Sequence, residues 1–289
     1  MHRPCSAIAA VVVLAMVAGC DPRPPVLVMC HNSNCTGRLD PSRDDTLDAL
    51  RESFELVDSG STLMFDGTEL DLVWDSVGRR CLFAHDPPDA DADDNTLVGA
   101  TEATDEVIRL LTLGDLRPHN GDRFYVKFEL KVTVDESGGQ HTASELTQHA
   151  DCALDQLATL EQAAVDLGLG FEVIFDSSGP ELLNALTANP RWPVNKDAEP
   201  ARVRLSADFG APRPLMATRP LGDFPPVDVI EFHPSWLTEG THQTYRSMGV
   251  DLTVWADIVT IEVLRAVEHF EPKFVLTGEV PLVRGWLER

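Results

Sequence analysis

The sequence predicts an α/β fold, a single-domain closed (β/α)8 TIM barrel, on three observations. Eight short runs rich in Val, Ile, Phe and Leu recur at 26–30, 68–73, 124–130, 171–176, 203–208, 227–232, 250–256 and 273–277. Helical patterns lie between them, the alternation that a parallel sheet with crossover helices produces. The 289 residues, less an N-terminal leader, have the size of one such barrel. No G-x-G-x-x-G follows the first run, which speaks against an open dinucleotide-binding sheet.

In chain order, residues 1–20 read as a bacterial lipoprotein signal. Arg3 supplies a positive n-region, 7–17 is uninterruptedly apolar, and Val17-Ala18-Gly19-Cys20 sets small residues before a cysteine. Cleavage before Cys20 and lipidation of its thiol would leave 21–25 as a Pro-rich tether and 26–289 as the barrel. The expected location is then outside the cell membrane, anchored to it, on the periplasmic or extracellular side. No further stretch reaches the ~18 apolar residues that a membrane span needs.

The first strand, 26–30, ends at His31-Asn32. Leu47, Leu50, Phe54 and Val57 space a helix over 44–57. Strand 68–73 contains Glu69-Leu70-Asp71, and 81–84 forms a hairpin with it before His85-Asp86-Pro87. An acidic loop follows, in which Asp89, Asp91 and Asp93 imitate the start of an EF-hand. Asp94 stands where that loop needs glycine, and Ala100 where it needs glutamate. Strand 124–130 carries Lys127 and Glu129 and leads to Lys131. Helices are expected over 144–167, 181–186, 241–248 and 258–269, with 189–202 a polar surface connection.

Of the six cysteines, Cys5 falls in the signal and Cys20 at the anchor. Cys30, Cys35, Cys81 and Cys152 remain, compatible with two disulfides in any of three pairings, Cys30–Cys35 being the local candidate. Their spacing fits no zinc template. A net charge of −24 disfavours nucleic acid and anionic headgroups on global electrostatics. A phosphodiester would have to be attracted locally, by a cation and lysines. No obligate protein partner is evident.

Residues two apart on a strand share a face, so Glu69 and Asp71 project together while Leu70 and Leu72 pack the other way. Carboxylates buried side by side need a compensating cation. Glu69, Asp71 and Glu129, with the Asn32 amide, make an all-oxygen set for one divalent cation, Ca²⁺ in preference to Mg²⁺. His31 and His85 follow strands directly, where barrel enzymes place catalytic groups, and one can act as base while the other acts as acid. Lys131 and Lys127 are candidates for phosphate. Trp255 and Glu231, at the ends of later strands, are candidates for the substrate wall.

The set His31…Glu69-Leu70-Asp71…His85-Asp86-Pro87…Phe128-Glu129-Leu130-Lys131 resembles the glycerophosphodiester phosphodiesterases, within the phospholipase-C-like phosphodiesterase superfamily. Asp251-Leu252-Thr253-Val254-Trp255 is similar to that family's seventh strand, and Phe274-Val275-Leu276-Thr277 to its eighth. The resemblance implies metal ligands at Glu69, Asp71 and Glu129, acid/base roles for His31 and His85, and a phosphate contact at Lys131. The family follows its first histidine with Arg-Gly, whereas this chain has Asn32-Ser33. His-Asn, with Trp74-Asp75 after the acidic pair, is closer to phosphoinositide-specific phospholipases C, in which the asparagine is a calcium ligand. The expectation is a metal-dependent phosphoric diester hydrolase acting on glycerophosphodiesters or phospholipid headgroups. The alternative is a catalytically inactive barrel lipoprotein that binds a ligand or partner. A zinc amidohydrolase would need His-x-His after the first strand. A glycoside hydrolase would use more aromatic side chains than the 7% present.

Overall fold

The computed structural model describes residues 25–37, 40–86, 97–131, 142–197, 201–209 and 221–289. Strands β1 (Leu27–Cys30), β2 (Gly67–Asp75), β4 (Arg123–Leu130), β5 (Gly170–Ser177), β6 (Ala201–Asp208), β7 (Val229–Phe232), β8 (Asp251–Ala256) and β9 (Phe274–Thr277) pair in parallel. Pairing of β1 with both β2 and β9 closes the sheet into a barrel. The short β3 (Arg80–Phe83) folds back antiparallel on the last residues of β2, from Leu72↔Phe83 to Asp75↔Arg80. The signal, Cys20, most of the tether, Pro87 and the Asp89–Asp93 stretch lie outside the described residues.

Strand alternation divides the interior. Leu70, Leu72, Phe128, Leu130 and Phe175 point outward into the core shared with the helices. Each such buried side chain contributes roughly 1.5–3 kcal/mol. Inside, Leu27, Met29, Tyr125, Ile174, Val229, Phe274 and Leu276 form a second apolar cluster. Gly67 belongs to this layer by necessity: a Cβ there would sit 2.3 Å from the Tyr125 carbonyl oxygen.

Among the described residues seven α-helices surround the strands: α1 (Leu47–Ser53), α2 (Ala100–Leu113), α3 (Ala143–Leu167), α4 (Pro180–Ala188), α5 (Glu239–Ser247), α6 (Ile261–Phe270) and α7 (Val280–Leu287). A capping box of Thr142 and Glu145 starts α3, and left-handed Gly168 (φ 67°) stops it. Helix α1 is shorter than the spacing of its apolar residues predicts. Thr46 caps it by accepting the Ala49 amide, and the chain leaves the helix at Phe54. Helices α2 and α7 were not anticipated, although Ala103, Val107 and Leu111 recur every four residues and are buried. No α-helix joins β6 to β7 among the described residues.

Candidate active site

The sheet register assembles the acidic cluster. Glu69 pairs with Lys127 and Asp71 with Glu129 across β2 and β4, and Glu129 pairs with Asp176 across β4 and β5. Partners in register face the same way, so all five side chains enter the barrel near the C-terminal ends of its strands. Glu69 and Asp71 are fully buried. One carboxylate oxygen from each of Glu69, Asp71 and Glu129 lies within 4.8 Å of the others.

Two lysines divide this charge. Lys131 reaches Asp71 at 2.9 Å and Glu129 at 2.8 Å from the mouth side. Lys127 is buried, with its Nζ 2.8 Å from Glu69, 2.8 Å from Glu231 and 3.4 Å from Asp176. Burial works against both ammonium groups, but the surrounding carboxylates hold their pKa values well above the ordinary lysine value. Burial also raises the pKa of Glu69; Lys127, His31 and Lys131 outweigh it and bring it down to about 2. Asp71 goes the other way. Burial, Glu129 and Glu69 push it up to about 7 in spite of Lys131.

His31 stands in a tight turn clamped at both sides. The Cys30–Cys35 disulfide (Cα–Cα 5.2 Å) closes the turn, and Asn32 and Ser33 take left-handed φ values of 46° and 56°. Ser33 Oγ donates to the Glu69 carbonyl at 2.8 Å, and the Asn32 amide donates to Glu69 Oε2 at 3.1 Å. The His31 ring is thereby set with Nδ1 2.7 Å from Asp257 and Nε2 3.5 Å from Glu69, and it stacks on Trp255 at 5.8 Å. Burial lowers its pKa, but Glu69, Asp257 and Asp71 prevail and raise it to about 9. The hydrogen bond from His31 in turn holds Asp257 below the ordinary carboxylate value.

His85 arrives by the hairpin. The Ala84 amide donates to the Asp71 carbonyl at 3.2 Å, which puts the next residue beside the acidic pair. A second disulfide, Cys81–Cys152 (Cα–Cα 5.9 Å), ties β3 to α3 just before it. The His85 side chain is 51% exposed, with Nδ1 3.3 Å from Asp86.

The structure thus gathers His31, Asn32, Glu69, Asp71, Glu129 and Lys131 at one end of the barrel, with Trp255 stacked on His31 and His85 exposed beside them. Lys127 and Glu231 are buried and pair with each other at 2.8 Å. Sequence reasoning missed Asp45, Asp176 and Asp257. Asp257 lay two residues beyond Trp255 and Asp176 at the end of a strand, so the strand-end rule that selected the histidines could have found both. For Asp45 the only local signal was its place before a helix cap.

No family model matches the sequence, and none of the curated proteins does. Solved structures do match. A glycerophosphodiester phosphodiesterase from Parabacteroides distasonis superposes with a TM-score of 0.59 at 11% identity, over 91% of this chain and 97% of that one. An Oleispira antarctica phosphodiesterase, solved with its product sn-glycerol-3-phosphate, gives 0.57 at 12% identity over 92% and 97%. One from Agrobacterium tumefaciens gives 0.54 at 14% over 92% and 100%. The fold is that of the glycerophosphodiester phosphodiesterases. The likeness runs through nearly the whole of each chain, with no large unmatched portion on either side.

The residues also suit a divalent cation. Asn32 is buried and its side-chain oxygen has no hydrogen-bond partner. It stands beside Glu69, and the carboxylate oxygens nearby are close enough to converge on one ion. Hard oxygen donors of this kind favour Ca²⁺ or Mg²⁺.

Proposed function

We infer that this protein is a cation-dependent phosphodiester hydrolase acting on glycerophosphodiesters or phospholipid headgroups, held to a membrane through Cys20. The observation that carries the reading is the convergence of Glu69, Asp71 and Glu129 between two histidines at the barrel mouth. Ca²⁺ is the preferred ion, because the neutral Asn32 oxygen adds a ligand that a larger coordination sphere accommodates. Bound there, the ion would polarise a phosphoryl oxygen and acidify an attacking hydroxyl or water.

The protein's own groups supply the rest. His31, oriented by Asp257 and by the Trp255 ring, and His85 divide two proton transfers, one from the attacking group and one to the leaving alcohol. Lys131 is placed to offset charge on the phosphoryl oxygens. Lys127 holds Glu69 in place and compensates Glu231 and Asp176.

The test is phosphodiester turnover by the full-length chain on glycerophosphodiesters and on phosphatidylinositol, with Ca²⁺, with Mg²⁺ and with chelator, beside His85→Ala. Turnover that requires the cation and is lost in the variant is the expected result, and the preferred substrate names the headgroup. Cation binding without turnover on either substrate class would instead favour a binding lipoprotein.

A further inference from the structure

The geometry points to Asp45 as a positioning residue of the cation site, one that sets Asp71 and adds negative charge behind it. This rests on the reading of Glu69, Asp71, Glu129 and Asn32 as cation ligands. Asp45 lies between β1 and α1, directly before the Thr46 cap, and is 5% exposed. Its amide donates to the Asn32 carbonyl at 3.0 Å, and its Oδ1 accepts the Asp71 amide at 3.5 Å. It is therefore joined by hydrogen bonds to the backbones of two of the proposed ligands.

The buried oxygens here without a hydrogen-bond partner include Oδ2 of Asp45 and Oδ1 of Asn32. A carboxylate so placed is expensive to bury without a cation, and Lys131 spends its ion pairs on Asp71 and Glu129. Asp45 also holds a left-handed φ of 54°, a conformation that aspartate tolerates but does not seek. Packing and local backbone preference alone give no reason for a charge here. A divalent ion drawn to Asp71 compensates both carboxylates together. Groups that hold a ligand from behind in this way commonly change metal affinity by 10- to 100-fold.

Asp45→Asn is the decisive variant. It keeps Oδ1 and suits the left-handed backbone at least as well, so that the charge is what changes. The full-length chain is titrated calorimetrically with CaCl₂, and its melting is followed in chelator. The expected result is a Kd for Ca²⁺ raised about 10- to 100-fold, with the metal-free Tm unchanged or higher because a contact between like charges is gone. Asp48→Asn, on the exposed face of α1, should leave both readings unchanged. A Kd within twofold of wild type, or a lowered metal-free Tm with unaltered affinity, would mark Asp45 as purely structural and overturn the proposal. A wild-type chain that binds neither Ca²⁺ nor Mg²⁺ would overturn the cation site itself, and Asp45's role with it.

Discussion

At the foot of β2, Asp66 accepts the amides of Val28 at 2.8 Å and Asn120 at 2.6 Å and pairs with the Arg284 guanidinium. Arg284 spends its remaining reach on the Met64 carbonyl at 2.7 Å. Three and five residues further along the same stretch, Glu69 and Asp71 are equally buried, in quite different company. Around them stand Asp45, Glu129, Asp176 and Glu231, with Lys127 and Lys131 as the lysines among them and His31 alongside. The lower pair is matched charge for charge. The upper cluster carries more negative than positive charge and leaves buried oxygens without partners. A pair that serves only the fold has no use for such an excess, whereas a site for a cation and a phosphate does.

The sharpest way to probe that contrast is to remove the two histidines proposed as proton carriers. His31→Ala and His85→Ala should each lower kcat on a phosphodiester by about 10²- to 10⁴-fold. The Tm should change little for exposed His85. A decrease of less than tenfold in both would leave the mouth a binding site rather than a catalytic one.

Next come substitutions that compare the two charge groups directly. Arg284→Met leaves Asp66 buried without its cation and should destabilise the fold by about 3–5 kcal/mol, read in denaturant melts. Turnover per folded molecule should be unaffected. Asp71→Asn should do the reverse, raising the metal-free Tm while abolishing Ca²⁺ binding. If both variants lowered the metal-free Tm alike, the distinction between the groups would fail.

The two groups should also part in their pH response. In the metal-free protein the His31 pKa of about 9 stands above its ordinary 6.5. Its contribution to stability is therefore complete below pH 6.5 and is lost as the pH rises toward 9. Asp71 is likewise raised, to about 7 from 3.8, so it favours the fold at acid pH and ceases to do so as the pH rises through 7. The Tm in chelator should fall steadily from pH 5 to 9. Ca²⁺ should flatten the part below pH 7, since the ion binds the ionised carboxylate. A chelated Tm that rises over pH 6.5–9 would contradict the His31 assignment.

Smaller effects should mark the supports of His31. Asp257→Asn removes the charge held 2.7 Å from Nδ1. It should lower kcat about 10-fold and move the pH–rate limb belonging to His31 toward lower pH, an order of magnitude at the low end for general acid–base groups. An unmoved limb would reduce Asp257 to a surface contact. Trp255→Ala should raise KM more than it lowers kcat, and an unchanged KM would remove the ring from the substrate wall.

Most of this was legible in one dimension where the signal is local. All nine strands lie within two residues of their expected places at either end, because runs of Val, Ile, Phe and Leu bounded by polar turns mark buried parallel strands directly. Glu69 and Asp71 could be read as one face from the two-residue period, Glu129 from its place at the end of the next strand, and the two histidines from their places after strands. What the chain alone left open depended on register and closure. Lys127 and Glu231 are far apart in sequence and meet only because the barrel brings β4 and β7 across the same interior. Asp45 joins the cluster through a turn and two backbone contacts that no periodicity encodes. The partners of Cys81 and of His31 were likewise decided by which loops the closed sheet places together. The sequence by itself determined which residues could do the chemistry, since side-chain type and strand period are local properties. Only the tertiary structure decided which of them share a charge, because Coulomb energy depends on distance and burial rather than on order along the chain.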